Sequence, residues 1–215
     1  GQRRVILKRA GQQGVVGVAH KTPSATHEDA PAFIVLSSIL SSGKNSRFYK
    51  KITDEGLTTS VFIWDSLFRD PGLFAVYANL TPGTDHKTVE DIIMSEYEEI
   101  KQNGVTKEEV DKAKAQLVAN MKFRQDGSYM VAGSLNEAIA SGDWTLYTTY
   151  EEKVSAVNAQ DIQSIVERYF LEDLSTVGHF VPKSSGAQAT RRGPSSATEL
   201  GEMKKKYFST EEGAE

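Results

Sequence analysis

Side chains that commonly do chemistry in proteins are scarce in this sequence. Its 215 residues include four histidines and no cysteine. The lack of cysteine excludes disulfides, thiolate metal sites and a cysteine nucleophile. None of the histidines, His20, His27, His86 and His179, lies three to five residues from another, as helical zinc motifs require. The densest polar group is His27-Glu28-Asp29, but consecutive side chains on a helix do not converge, so we interpret it as a solvated helix start.

Residues 41–49, Ser-Ser-Gly-Lys-Asn-Ser-Arg-Phe-Tyr, contain a Gly-Lys pair that suggests a phosphate-binding loop. That motif needs a glycine five residues before the pair, where this chain has Ser38, and a hydroxyl residue after the lysine, where it has Asn45. The segment also follows a predicted helix rather than a strand. We therefore interpret it as a joint between two helices, in which Gly43 ends the first helix and Asn45-Ser46 cap the second.

Nucleophilic and acid–base catalysis have no support in the remaining residues. The Gly-x-Ser-x-Gly elbow of serine hydrolases does not occur. The pair Glu108-Glu109 falls at a predicted helix start, where it complements the helix dipole. Trp64, Phe74 and Tyr77 could line a groove, although aromatic residues on strands usually belong to the core or to a sheet surface. We therefore predict no catalytic residue and no metal ligand in this chain.

The elements that position these residues follow from hydrophobic periodicity and turn signals. Strands are predicted near 5–7, 15–19, 57–67, 72–80 and 176–181, with the turn Arg69-Asp70-Pro71-Gly72 between the third and fourth. Capping pairs predict helix starts at Thr26, with Asp29, and at Thr106, with Glu109. Further helices are predicted at 128–141, 144–156 and 159–170, the last two capped by Asp143 and Asn158. Because strands adjacent in sequence are joined by tight turns, we expect an α+β fold with an antiparallel or mixed sheet and helices on one face.

Composition defines the organisation of the chain and excludes two classes of partner. Residues 1–182 are predicted to form one α+β domain, and residues 183–215 a linker with a candidate short helix at 197–208. No apolar run is long enough for a membrane span, and the net charge of -4 argues against nucleic acid. The chain opens directly in a strand-like segment, which suggests a fragment of a longer parent.

Six short segments, taken in order, resemble a known family. They are His27-Glu28-Asp29-Ala30-Pro31-Ala32, Val35-Leu36-Ser37-Ser38-Ile39-Leu40, Ser46-Arg47-Phe48-Tyr49, Arg69-Asp70-Pro71-Gly72-Leu73-Phe74, Gly104-Val105-Thr106-Lys107-Glu108-Glu109-Val110 and Ala113-Lys114-Ala115-Gln116-Leu117. Together they resemble the second, non-catalytic type of domain in the pitrilysin/insulinase family of zinc metallopeptidases, which includes the mitochondrial processing peptidase. The resemblance runs from about Gln2 to Pro182. It implies a processing-peptidase-like half-subunit domain with an antiparallel-rich sheet covered by helices. The family's catalytic domains carry the inverted zinc motif His-x-x-Glu-His, which is absent here.

The resemblance implies a chamber or scaffold domain of a zinc metalloendopeptidase that degrades peptides or unfolded segments, inactive alone. Zinc is expected in a catalytic domain of the same parent or of a partner subunit, and not in this chain. The candidate substrate contacts are Phe74, Tyr77 and Asn79, although the arginine that the family pairs with an aromatic residue is missing. The alternative is a structural or assembly protein with no peptidase activity in its parent. In some members of the family the segment equivalent to 41–49 is a substrate loop. Long bacterial members of the family are often exported to the periplasm.

Overall fold

A computed structural model describes residues 1–183, with Arg124 described by its backbone alone. The described chain contains five strands, six α-helices and two short helical turns. In chain order these are β1 (Arg3–Ala10), β2 (Val15–Lys21), α1 (Ala30–Ser41), a π-helical turn (Tyr49–Thr53), β3 (Thr58–Asp65), β4 (Leu73–Leu80), α2 (His86–Asn103), α3 (Lys107–Arg124), α4 (Ser128–Ala140), α5 (Thr145–Ala156), α6 (Ala159–Tyr169), a 3₁₀ turn (Glu172–Leu174) and β5 (Thr176–Lys183). The predicted linker and its candidate helix at 197–208 lie outside the described residues, apart from Lys183.

The strands form a single mixed sheet in the order β1-β5-β2-β4-β3. β1 pairs with β5 in parallel, whereas the β5–β2, β2–β4 and β4–β3 pairs are antiparallel. β1 and β3 are therefore the two edge strands within the described part of the chain. The prediction of an α+β fold with a mixed sheet is confirmed. In the same residues no helix is both long and apolar enough to cross a bilayer.

The core lies between one face of the sheet and the helices. Along β2 and β4 every second residue is buried, as the two-residue period of a strand requires. These side chains meet a group of fully buried aromatic rings from the helical layer, including Phe33 of α1, Tyr97 of α2 and Phe170 after α6. Burying each such side chain contributes about 1.5–3 kcal/mol. The other set of strand residues faces away from the helices, and we call that surface the open face.

Local capping signals predicted the helix starts of α3 and α6 correctly and those of α1 and α5 wrongly. Thr106 with Glu109 forms a capping box at α3, and Asn158 with Asp161 forms one at α6. At α5 the N-cap residue is Trp144, and the predicted cap Asp143 accepts a hydrogen bond from the Thr145 backbone N–H at 2.8 Å. α1 instead begins at Ala30, and the predicted pair of Thr26 and Asp29 makes no side-chain cap there. The Asp29 carboxylate accepts hydrogen bonds from Arg168 and Tyr169 at 2.7 and 2.8 Å, so it joins α1 to α6.

The 41–49 segment is a joint between helices, as predicted. α1 ends at Ser41, the chain turns through Gly43 with a φ of 74°, and a helical turn follows. The predicted cap at Ser46 is wrong, because its hydroxyl donates 2.7 Å back to the carbonyl oxygen of Gly43. Arg47 stabilises the joint by donating hydrogen bonds to Glu96 of α2 and Glu109 of α3.

Candidate functional site

The open face is apolar and aromatic. The strand registers place its large side chains in adjacent rows; they are Val5, Leu7, Phe62, Trp64, Leu73, Tyr77 and Phe180. Phe62 is 49% exposed and Trp64 is 58% exposed, both on the edge strand β3. The charged residues on this face are basic and lie at the strand ends, at Arg3, Arg9 and Lys21. Exposed apolar surface of this kind usually marks a site of interaction.

Three aromatic side chains form the densest part of this face. Phe62 of β3 lies directly opposite Tyr77 of β4, and their rings stack with centroids 5.3 Å apart. Trp64 follows two residues later on the same side of β3. Gly17 of β2 lies opposite Tyr77 on the same face, and a Cβ added there would be in van der Waals contact with the tyrosine ring at 3.7 Å. We call Phe62, Trp64 and Tyr77 the aromatic ledge.

The ledge lies beside an edge of the sheet that has no strand partner in the described residues. β3 pairs with β4 on one side only. Its outer backbone N–H and C=O groups can therefore accept an added strand, the arrangement by which many proteins bind extended peptides. Asn79 lies further along the open face, where its amide donates to the Ser60 hydroxyl of β3 at 2.9 Å. The open face thus offers both main-chain hydrogen bonds and apolar contact.

The three residues proposed from sequence as substrate contacts do not share one surface. Tyr77 and Asn79 lie on the open face and are partly exposed. Phe74 is fully buried, with its ring 5.1 Å from that of Phe170 in the core. Residues an odd number of positions apart on a strand point to opposite faces, so Phe74 cannot contribute to a surface that contains Tyr77. Sequence reasoning named Trp64 as a possible groove residue but missed Phe62, although the alternation of aromatic residues within 57–67 was a usable signal.

The described residues do not fit a zinc ion. Within residues 1–183, side chain 124 excepted, no three histidine or acidic side chains are grouped closely enough to hold a metal. The nearest set is Glu90 with His179, whose Nε2 lies 2.8 Å from the carboxylate, and His86, whose Nε2 lies 2.8 Å from a backbone oxygen. Arg4 also donates two hydrogen bonds to Glu90. Burial raises the pKa of Glu90, but the hydrogen bonds and charge of Arg4, together with His179 and Lys87, outweigh it and hold the pKa below its usual value. The positive charge of the Arg4 guanidinium would repel a divalent cation at this position. We therefore assign the pair of Arg4 and Glu90 a structural role, in which it holds β1 against α2.

His20 belongs to the core rather than to a site. Its ring lies between Tyr97 and Phe170, with centroids 5.4 and 4.9 Å away. Neither ring nitrogen has a hydrogen-bond partner among the described residues. Burial, assisted by the charge of Lys101, lowers the pKa of His20 to about 4. The imidazole is therefore neutral at physiological pH and is enclosed away from any substrate.

The joint at 41–49 is held by a partly buried ion cluster. Arg47 donates to Glu109 at 2.7 and 2.9 Å and to Glu96 at 2.8 Å. The bonds from Arg47 lower the pKa of Glu109 to about 2. The Glu96 side chain is fully buried and is also reached by Lys51 at 2.6 Å. The contacts of this segment therefore run inward to α2 and α3, which is consistent with a structural role.

Comparison with known proteins identifies the family and the fold. A family model described as the Peptidase M16 inactive domain matches residues 1–117. The zinc protease PqqE of Helicobacter pylori is 24% identical over 168 residues, which is 78% of this chain and 38% of PqqE. A protease structure from Helicobacter pylori superposes with a TM-score of 0.80 at 24% identity, covering 85% of this chain and 45% of that one. The structure of an inactive peptidase domain from Bordetella parapertussis has a TM-score of 0.75 at 24% identity and is covered over 98% of its length, with 86% of this chain.

These matches agree with the features read from the residues. The chain spans about two fifths of the length of the curated relatives it matches, yet it covers almost all of the isolated inactive domain from Bordetella parapertussis. The family model covers more than half of the 215 residues, and the sequence resemblance had indicated the same group. This chain belongs to the Peptidase M16 inactive domain family.

Proposed function

We propose that this chain forms a non-catalytic wall of a peptide-binding chamber in a zinc metalloendopeptidase. Its partner in this proposal is a catalytic, zinc-binding domain of the same parent or of a partner subunit. Two findings support it: the family is that of an inactive peptidase domain, and relatives of which this chain covers about two fifths are named zinc proteases. Peptide cleavage then belongs to the partner domain, and this domain holds the peptide and supports its neighbour.

The observation that carries the proposal is the aromatic ledge beside the free edge of β3. A peptidase that accepts many unfolded sequences needs contacts that do not depend on particular side chains. Main-chain hydrogen bonds to an edge strand are of this kind, and aromatic rings add apolar contact without demanding one partner. In this proposal Tyr77 and Asn79 contact the peptide together with Phe62 and Trp64, and Phe74 supports the sheet from the core.

The test is binding of an unfolded peptide to the purified chain. A fluorescently labelled 20-residue peptide is titrated and its anisotropy recorded, with Phe62→Ala/Trp64→Ala as the test variant. We expect that variant to bind at least about tenfold more weakly, a loss of about 1.4 kcal/mol. The matched control is Phe123→Ala/Leu174→Ala, which removes two side chains that are 79% and 57% exposed but lie outside the sheet. The control should bind as the unaltered chain does.

Three results would count against the proposal. Equal binding by the test variant and the unaltered chain would exclude the aromatic ledge as the contact surface. Cleavage of the peptide by the purified chain, abolished by a chelator, would show that this domain has its own metal centre. Absence of peptide binding in a chain that still binds a catalytic domain would favour the assembly role.

A further inference from the structure

A groove with a cavity volume of about 790 Å³ opens where β3 ends. Trp64 is among the residues that line it, so the groove shares this residue with the aromatic ledge. The opposite walls come from α3, α4 and α5, including Leu117, Leu146 and Tyr147. The lining is therefore largely apolar and partly aromatic, which suits a side chain with a long apolar stem.

A carboxylate without an ionic partner lies in this lining. Asp65 follows Trp64, so its side chain points to the opposite, helix-facing side of the strand. It hydrogen-bonds to Ser37, and no cationic side chain of the described residues forms an ion pair with it. Burial raises the pKa of Asp65 to about 6, because few groups compensate for its lost hydration. A strongly perturbed carboxylate in a groove is a candidate binding group.

The charged side chains among the described lining residues of the groove are acidic. They are those of Asp65 and Glu137, and the same described lining residues include no lysine, arginine or histidine. Glu137 has interactions of its own, so the argument depends on Asp65 alone. Aromatic faces such as those of Trp64 and Tyr147 also attract cations. An apolar groove whose lining includes a carboxylate with no ionic partner among the described residues complements a basic side chain, whose methylene stem is apolar and whose head is charged.

We infer that this groove receives a lysine or arginine side chain of a peptide paired along the free edge of β3. Alternate side chains of an added strand point to the two faces of the sheet. Those on the open face contact the aromatic ledge, whereas one on the helix-facing side, level with Asp65, enters the groove. The inference rests on the proposed function and adds to it a preference for a basic residue at one position of the substrate.

The test compares two labelled peptides that are acetylated at the N-terminus and differ at one central position, lysine against norleucine. The unaltered chain should bind the lysine peptide at least about fivefold more tightly. Asp65→Asn, which keeps size and the capacity for a hydrogen bond, should remove that difference. The matched control is Asp54→Asn, an exposed aspartate before β3 begins, which should keep the full preference for lysine.

The outcomes separate this inference from the proposed function. If both peptides bind equally well and Asp65→Asn changes neither, the groove does not select a basic side chain, while peptide binding at the ledge stands. If neither peptide binds the unaltered chain, the proposed function fails and this inference fails with it. Far-ultraviolet circular dichroism of each variant establishes that it is folded before binding is compared.

Discussion

Acidification should destabilise this chain through His20, whose imidazole is fully buried and has no hydrogen-bond partner among the described residues. Burial lowers its pKa from 6.5 to about 4 in the folded state. Between these values the unfolded chain binds a proton that the folded chain does not. The free energy of unfolding therefore falls as the pH drops from about 6.5 to about 4, and this contribution is constant below that range.

The shift of about 2.5 pH units corresponds to about 3 kcal/mol, of which about 2 kcal/mol is lost by pH 5. Such a loss is a large share of the stability of a typical domain. Other groups titrate in the same range, so the informative quantity is the difference between the unaltered chain and His20→Leu at each pH. That difference should change by about 1.4 kcal/mol per pH unit across the window in favour of the variant.

Urea unfolding followed by circular dichroism at pH 7, 6, 5 and 4 measures this difference. Tryptophan fluorescence is a poor probe, because Trp64 and Trp144 are already more than half exposed in the folded chain. His27→Gln controls for the loss of a histidine at an exposed position. A difference curve for His20→Leu that stays flat from pH 7 to pH 4 would refute the reasoning, because it would mean that the imidazole is not desolvated on folding.

Three further predictions follow from single contacts. Asp65→Asn should stabilise the chain at pH 7 by up to about 3 kcal/mol, because the raised carboxyl pKa makes ionisation unfavourable in the fold above pH 6; the gain should disappear below pH 4 in thermal melts. Arg47→Met should cost about 3 kcal/mol in urea unfolding, because it removes a cation from the buried Glu96. Gly72→Ala should lower the free energy of unfolding by more than about 2 kcal/mol, because a Cβ there would lie 1.8 Å from a backbone oxygen. Gly133→Ala, in open space within α4, should raise the free energy of unfolding by about 0.5–1 kcal/mol.

Each of these has a result that would contradict it. A stabilisation by Asp65→Asn that persists at pH 4 would mean that the carboxylate charge is not its cause. Arg47→Met combined with Glu96→Gln should recover part of the lost stability, and a purely additive double variant would show that the two groups are not coupled. Equal effects of alanine at Gly72 and Gly133 would show that the close approach at the turn before β4 is relieved without cost.

Much of the secondary structure could be predicted because its causes are local. Thr106 with Glu109 and Asn158 with Asp161 form capping boxes within four residues of chain, and periodicity located the strands to within a few residues. The prediction failed at α1, where a residue distant in sequence forms a hydrogen bond with the side chain that was expected to cap the helix. Aspartate is a common helix-capping residue, but the carboxylate oxygens of Asp29 accept hydrogen bonds from Arg168 and Tyr169, about 140 residues away.

The candidate site was predictable only in part, for the same reason. The strand that carries Tyr77 and Asn79 was located from sequence, but the face to which each side chain points depends on where the helices pack. Phe74 is apolar and aromatic like Tyr77, and only the position of the core shows that it is buried. The neighbours Trp64 and Asp65 acquire their proposed roles because β3 is an edge strand and α3 to α5 close one side of a groove.

Short-range chemistry in the sequence thus determined the succession of elements and the α+β class, and a set of short segments in order carried the resemblance to the family. Tertiary structure decided the parallel pairing of β1 with β5, which joins residues about 170 positions apart, the burial of an unpaired histidine and the separation of a buried face from an open one. The physical reason is that caps, turns and periodicity act within a few residues. The burial, charge and exposure of a side chain depend instead on groups that only folding brings near it.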